Sequence, residues 1–192
     1  MKYRRFTEFG EVHMPDHVTR YSVMPIAPND VHTTWFSAGT LRLGVEYRLL
    51  TDAVTATATF ESAQGDERGQ TEALDDRGVS IHVYATQDGE EREFLRFDCF
   101  LEDPHYHYIS WRDRTNEMLH MDPPATGDPV EFALDCVATR LPGLLTRAGA
   151  ADVVEKLDLV SLEAVLPQVR AEALRLRAAD APASSSGKGD IS

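Results

Sequence analysis

The chain has 192 residues, of which 42% are hydrophobic, so it can bury one full core but is too short for a second complete domain of ordinary size. Its 32 acidic residues outnumber its 19 basic residues, and the formal charge of -13 repels phosphate backbones and anionic membranes. We therefore expect neither a nucleic acid nor a membrane as a partner.

The sequence also predicts a cytoplasmic protein. No apolar run of signal-peptide length follows the basic residues near the N-terminus, and no stretch approaches the roughly 18 apolar residues that a membrane span needs. Cys99 and Cys136 lack the Cys-x-x-Cys spacing of zinc or redox sites, so we expect two buried thiols.

The first half of the chain predicts strands. Prolines interrupt residues 1–38, where we expect one or two short strands. From Leu41 to Leu49 apolar and polar residues alternate, as in a half-buried strand, and a second alternating run over 54–60 predicts a hairpin. Residues 62–78 have the glycines and unpatterned charges of a surface loop.

Four more strands are predicted, over residues 79–86, 93–101, 105–111 and 117–121. The Asp88-Gly89 pair between the first two is a strong hairpin signal, and Pro104 separates the second from the third. No long helical crossover lies between these strands, so we expect an antiparallel meander rather than a parallel sheet.

After residue 127 the apolar residues recur every three or four positions, as in a helix, instead of alternating with polar ones. Asp128 can cap a helix that has Pro129 in its first turn, and Glu131 can reach back to the cap. Pro142 ends or bends this helix, and Gly149 stops its continuation.

A short helix from residue 152 to about 157 follows, and Ser161 is predicted to cap the final helix, which has a kink at Pro167. The predicted fold is α+β, with an antiparallel sheet of five to seven strands followed by two or three helices on one face. In numbers, the prediction is one domain over 1–180, a sheet within 1–122, helices within 128–179 and a disordered tail over 181–192.

The strongest chemical signal is a His-x-His pair in the aromatic strand. His105 and His107 point to the same face of an extended strand with Cα atoms about 6.6 Å apart, so both imidazoles can reach one metal ion. The alternative is an aromatic-rich core in which both histidines are hydrogen-bonded and bind nothing.

The return strand decides which residues join this pair. A two-residue turn would place His107 opposite His120 and His105 opposite Asp122, which makes a patch of three imidazoles and one carboxylate. A loop one residue longer would move His120 away and dissolve the cluster. Such a patch suits one divalent transition metal ion, namely zinc, iron or copper.

Three further side chains are candidates for catalysis. Asp98, among apolar neighbours, needs a partner and can orient an imidazole or pair with an arginine. His82 can be a general base or a sheet-face histidine bonded to a neighbour, and Tyr108 supplies a phenol beside the pair.

The sequence leaves three functions open. The first is a metal-dependent enzyme acting on a small molecule. The second is a metal-free cup of the binding or isomerase type, which encloses an apolar ligand. The third is an interaction module or homodimer in which the strand over 105–111 pairs with a partner.

Overall fold

A computed structural model describes residues 18–21, 24–50 and 76–180. Its strands are β1 (Val18–Tyr21), β2 (Thr34–Ala38), β3 (Leu41–Leu50), β4 (Asp76–Gln87), β5 (Glu90–Phe100), β6 (His105–Ser110) and β7 (Thr115–His120). Its helices are α1 (Pro123–Thr126), α2 (Pro129–Thr139), α3 (Leu141–Arg147), α4 (Ala151–Val154) and α5 (Leu159–Asp180). Of these helices, none combines the length and the apolarity needed to cross a membrane.

The seven strands form one antiparallel sheet in the order β1-β7-β6-β5-β4-β3-β2. Strands β2 to β7 follow one another as a meander, and β1 pairs with β7 at the far edge. The predicted α+β class is therefore confirmed. The strand predicted over 54–60, the loop up to residue 75 and the tail over 181–192 lie outside the described residues.

Two turns set the register of the central strands. Asp88 and Gly89 both have positive φ, 54° and 82°, as a two-residue hairpin between β4 and β5 requires. The connection between β6 and β7 is a four-residue loop, since Ser110 pairs with Thr115. Arg114 in this loop also has a positive φ, 53°.

The helix that follows the sheet begins as predicted. Asp128 accepts a hydrogen bond from the backbone N–H of Glu131 at 3.0 Å and thereby caps α2. The Glu131 carboxylate does not return to the cap, because it pairs with Arg170 of α5 at 2.6 Å.

The final helix begins earlier than predicted. Asp158, and not Ser161, is its cap: the Asp158 carboxylate accepts the backbone N–H of Ser161 at 3.0 Å and its hydroxyl at 2.6 Å. Both residue types are good caps, but a cap side chain binds the backbone N–H two or three residues after it. Ser161 lies three residues after Asp158, so its N–H is the one that Asp158 binds. Pro167 lies inside α5, which continues to Asp180.

One face of the sheet packs against the helices. The alternating apolar residues of the central strands, such as Leu43, Ile81 and Phe97, are at most 1% exposed and join one core with helical residues such as Leu145 and Val169. Burial of this apolar area drives the packing of α2 to α5 on the sheet. The other face has the opposite character, since it buries polar and charged side chains.

Candidate metal centre

The polar face forms where alternate positions of β4, β5 and β6 meet. Ser80 pairs with Asp98, Asp98 pairs with His105, and the neighbouring Arg96 pairs with His107. Cross-strand partners project to the same side of a sheet, so these side chains share one face. All five are buried, although each has a charged or polar end.

Asp98, His105 and His107 form a buried group whose ligand atoms can hold one metal ion. The Nε2 atoms of both imidazoles lie 3.4 Å from the same oxygen of Asp98, Oδ2. One ligand atom from each residue lies within 4.8 Å of the other two. The same-face placement that the His-x-His spacing predicts is therefore present.

Each imidazole is oriented through its other nitrogen. His105 Nδ1 lies 2.7 Å from the backbone carbonyl oxygen of Asp103, and His107 Nδ1 lies 2.8 Å from the amide oxygen of Asn116. Because both of these oxygens are acceptors, the Nδ1 atoms carry the protons. In the neutral form of each histidine, Nε2 then carries the lone pair that a metal ion would bind.

The Asp98 carboxylate is held as an anion. Burial raises its pKa, but attraction to His105 and His107 and to the Arg96 guanidinium outweighs burial, so the pKa lies well below its usual value. Its second oxygen, Oδ1, accepts a hydrogen bond from the Ser80 hydroxyl. An ionised oxygen, Oδ2, is thereby directed at both histidines.

The two histidines differ in basicity. Burial lowers the pKa of each, but attraction to Asp98 and the Asp103 carbonyl raises the pKa of His105 above its ordinary value. Attraction to Asp98 does not compensate burial at His107, so its pKa is lowered. His107 is therefore the more readily available neutral ligand near neutral pH.

The register of β6 and β7 differs from both predicted registers. The four-residue loop places His120 opposite His105 and Met118 opposite His107. The pairing is shifted by two residues from the two-residue turn, and an even shift leaves His120 on the predicted face. The prediction that His105 faces Asp122 is wrong, because Asp122 lies beyond β7, exposed, at the start of α1.

His120 lies beside the buried group without joining it. Its ring centroid is 6.3 Å from that of His105, and its side chain is 43% exposed. Its Nδ1 is engaged at 2.6 Å by the Asp103 carboxylate, and its ligand atoms fall outside the group of three.

His82 lies in a different buried cluster on the same face. The imidazole is 0% exposed, with Nδ1 2.6 Å from Glu93 and Nε2 3.1 Å from Glu46. Glu93 in turn binds Arg96 through two hydrogen bonds of 2.9 and 2.7 Å. Both nitrogens of His82 are thus engaged by carboxylates. This arrangement favours the prediction of a sheet-face histidine bonded to its neighbours over the prediction of a general base.

The carboxylates of this cluster are stabilised as anions. Burial raises the pKa of Glu93, but Arg96 and His82 outweigh it and lower the pKa to about 2. Burial likewise raises the pKa of Glu46, but His82 and Arg48 outweigh burial, so the pKa lies below its usual value. The sequence analysis did not predict a role for these two glutamates. The sequence feature that could have indicated one is a charged residue at an alternating position of an otherwise apolar strand.

Tyr108 does not share this face. It pairs with Leu95 and Glu117 on the side that packs against the helices, and the Arg147 guanidinium lies 4.0 Å from its ring centroid. Strand β6 itself pairs with β5 on one side and β7 on the other, so it has no free edge along the paired residues.

Comparison with known proteins identifies a family by its sequence. A family model described as "Domain of unknown function (DUF7700)" matches residues 35–173, a stretch that includes the three converging residues. No curated protein and no solved structure is significantly similar to the chain.

Proposed function

The chain belongs to the DUF7700 family, and we propose that Asp98, His105 and His107 bind one divalent transition metal ion as the centre of an enzyme acting on a small molecule. The observation that supports this most strongly is the 3.4 Å spacing of two Nε2 atoms from one carboxylate oxygen. Zinc is the metal that this spacing favours over iron and copper.

The spacing suits coordination better than hydrogen bonding. A charge-assisted hydrogen bond between imidazole and carboxylate has a length of about 2.7–2.9 Å. Two ligands about 2.05 Å from a tetrahedral ion are about 3.3–3.4 Å apart, whereas adjacent ligands of an octahedral ion at about 2.1 Å are only about 3 Å apart. The observed distance of 3.4 Å matches the tetrahedral value.

The supporting contacts are those that metal-ligating residues use. The Asp103 carbonyl and the Asn116 amide fix the proton of each histidine on Nδ1, and Ser80 binds the carboxylate oxygen that faces away from the histidines. Such partners orient the ligands and keep their lone pairs directed at one point. No movement of the described backbone is needed to bring the three ligand atoms together.

Three protein ligands favour catalysis over a purely structural role. Structural zinc sites are closed by four protein ligands, whereas catalytic sites use three and leave a position for water or substrate. A zinc ion in such a site lowers the pKa of a bound water to near 7, so hydrolysis or hydration is the class of reaction we propose.

The other candidate residues take no catalytic part in this proposal. His82 has no nitrogen free of a carboxylate, Tyr108 lies on the opposite face, and His120 and Asp122 lie outside the group. An interaction module that uses β6 as an edge is disfavoured, because β6 is paired on both sides. The homodimer and the cytoplasmic location remain predictions.

The proposal is tested by metal content. Protein purified without a histidine tag, or reconstituted with zinc after chelation, is expected to hold one zinc ion per chain by mass spectrometry. Asp98→Asn and His107→Ala should lose the ion. The matched control His120→Ala, which alters an exposed neighbouring histidine, should retain it.

Activity is the second measurement. Hydrolysis of 4-nitrophenyl acetate, which reports an activated water, should require the metal and disappear on chelation. Full metal content in His107→Ala, or failure of the wild-type chain to bind zinc, would overturn the site. A bound metal that leaves ester hydrolysis unchanged would overturn the enzymatic part alone.

A further inference from the structure

A small cavity lies on the polar face of the sheet, at the other end of β6 from the metal centre. Its walls include Met24 and Ala27 from the segment before β2, together with Tyr84, Ile109 and Trp111. Its volume is about 140 Å³. Ile109 is two residues from His107, so both side chains project from the same face of β6.

The charged side chains around the cavity already have partners. Glu91 pairs with Arg42 at 2.9 Å, Arg92 pairs with Glu90 at 2.6 Å, and Glu93 pairs with Arg96 at 2.7 Å. The Trp111 indole N–H is also satisfied, since it donates to the backbone carbonyl of Glu93 at 2.7 Å. A charged ligand would have to disrupt one of these pairs, and a neutral ligand would not.

Tyr84 is the polar group of the cavity wall that is left unused. No hydrogen bond joins its hydroxyl to another residue in the described part of the chain. Burial raises the pKa of Tyr84 well above its ordinary value, so the hydroxyl keeps its proton. It can donate one hydrogen bond to a ligand and accept another.

We infer that this cavity binds a small neutral molecule the size of a benzene ring with one hydroxyl or carbonyl group, which packs against Trp111 and hydrogen-bonds to Tyr84. The volume supports the size, since an apolar cavity of about 150 Å³ in another protein binds benzene. The inference is independent of the metal site, because none of the proposed ligands lines the cavity.

The test compares two fluorinated probes on the full chain in the presence of a chelator. 4-Fluorophenol is expected to bind saturably, with Kd on the order of 1 mM for so small a ligand, as followed by fluorine NMR. The Tyr84→Phe variant should weaken 4-fluorophenol by about 3- to 10-fold, the value of one hydrogen bond. Binding of 4-fluorotoluene, which cannot make that bond, should be unchanged.

A blocking variant locates the probe. Ala27 lies exposed at the rim of the cavity, so Ala27→Phe can fill the cavity without disturbing the core and should abolish binding of both probes. The matched control is Ala125→Phe at an exposed site on α1, which should leave binding intact. Unsaturable binding, binding that survives Ala27→Phe, or an equal loss for both probes in Tyr84→Phe would overturn the inference.

Discussion

Removal of the His82 imidazole should strongly destabilise the fold. The ring is 0% exposed and joins Glu93 at 2.6 Å to Glu46 at 3.1 Å, so His82→Ala removes a partner from each of two buried carboxylates. Breaking a buried charged pair by removing one side costs about 3–5 kcal/mol. Since a domain is stable by only about 5–15 kcal/mol in total, much of its free energy of unfolding should be lost.

Urea unfolding followed by circular dichroism, with chelator present at pH 7, measures this loss. The matched control His120→Ala removes an exposed imidazole from its pair with Asp103 and should cost less than about 1 kcal/mol. If His82→Ala does not fold, His82→Gln, which can still donate to one of the carboxylates, should fold with a smaller loss. A cost below about 1 kcal/mol for His82→Ala would refute the buried bridge.

Single substitutions at Glu93, Gly78 and Asn116 each test one contact of the polar face or of the sheet. Burial favours the neutral form of Glu93, but its ionic partners outweigh burial and lower its pKa from 4.5 to about 2. The stabilisation that the ionised carboxylate contributes is therefore complete above about pH 4.5 and is lost as the pH falls towards 2. In Glu93→Gln, the free energy of unfolding in urea should depend less on pH over that range. Gly78→Ala would press a Cβ against the backbone carbonyl oxygen of Cys99 in β5 and should cost about 1–3 kcal/mol in urea unfolding. Its control, Gly143→Ala, lies in open space within α3 and should change the urea midpoint little or raise it. Asn116→Ala removes the amide that holds the His107 imidazole and should weaken zinc binding about 10- to 100-fold in a chelator competition. An unchanged zinc affinity would argue against an orienting role for Asn116.

Local patterns were sufficient to predict most of the sheet and the first long helix. The alternation over residues 79–86 and the Asp88-Gly89 pair predicted the β4–β5 hairpin, and the cap at Asp128 predicted the start of α2. These features depend on residues close together in the chain, so the sequence carries them directly. The pairing of β1 with β7 joins residues about a hundred positions apart, which no local pattern reveals.

The register of β6 and β7 shows why the site was only partly predictable. The turn depends on Arg114 at positive φ, a conformation that is uncommon for a residue other than glycine and leaves no signal in the sequence. The same-face placement of His105 and His107 needs only the two-residue period of a strand, and it was predictable.

The buried charges were not predictable for a related reason. Glu46 and Arg96 look like solvated positions when each strand is considered alone, because a buried charge is tolerated only when a suitable partner lies within reach in the folded sheet. Glu46 finds His82 across β3 and β4, and Arg96 finds Glu93 within β5. The composition of the strands does not contain that information, whereas the pairing of the sheet does.

X-ray absorption at the zinc edge of the reconstituted protein can show whether Asp98, His105 and His107 coordinate the ion. We expect a first shell of about four nitrogen or oxygen ligands at about 2.0–2.1 Å, with the outer-shell scattering of two imidazoles and no sulfur near 2.3 Å. His107→Ala, which should lose the ion, should hold too little zinc after the same reconstitution to give this signature. A sulfur ligand, a six-coordinate oxygen shell, or an imidazole signal unchanged in His107→Ala would contradict coordination by Asp98, His105 and His107.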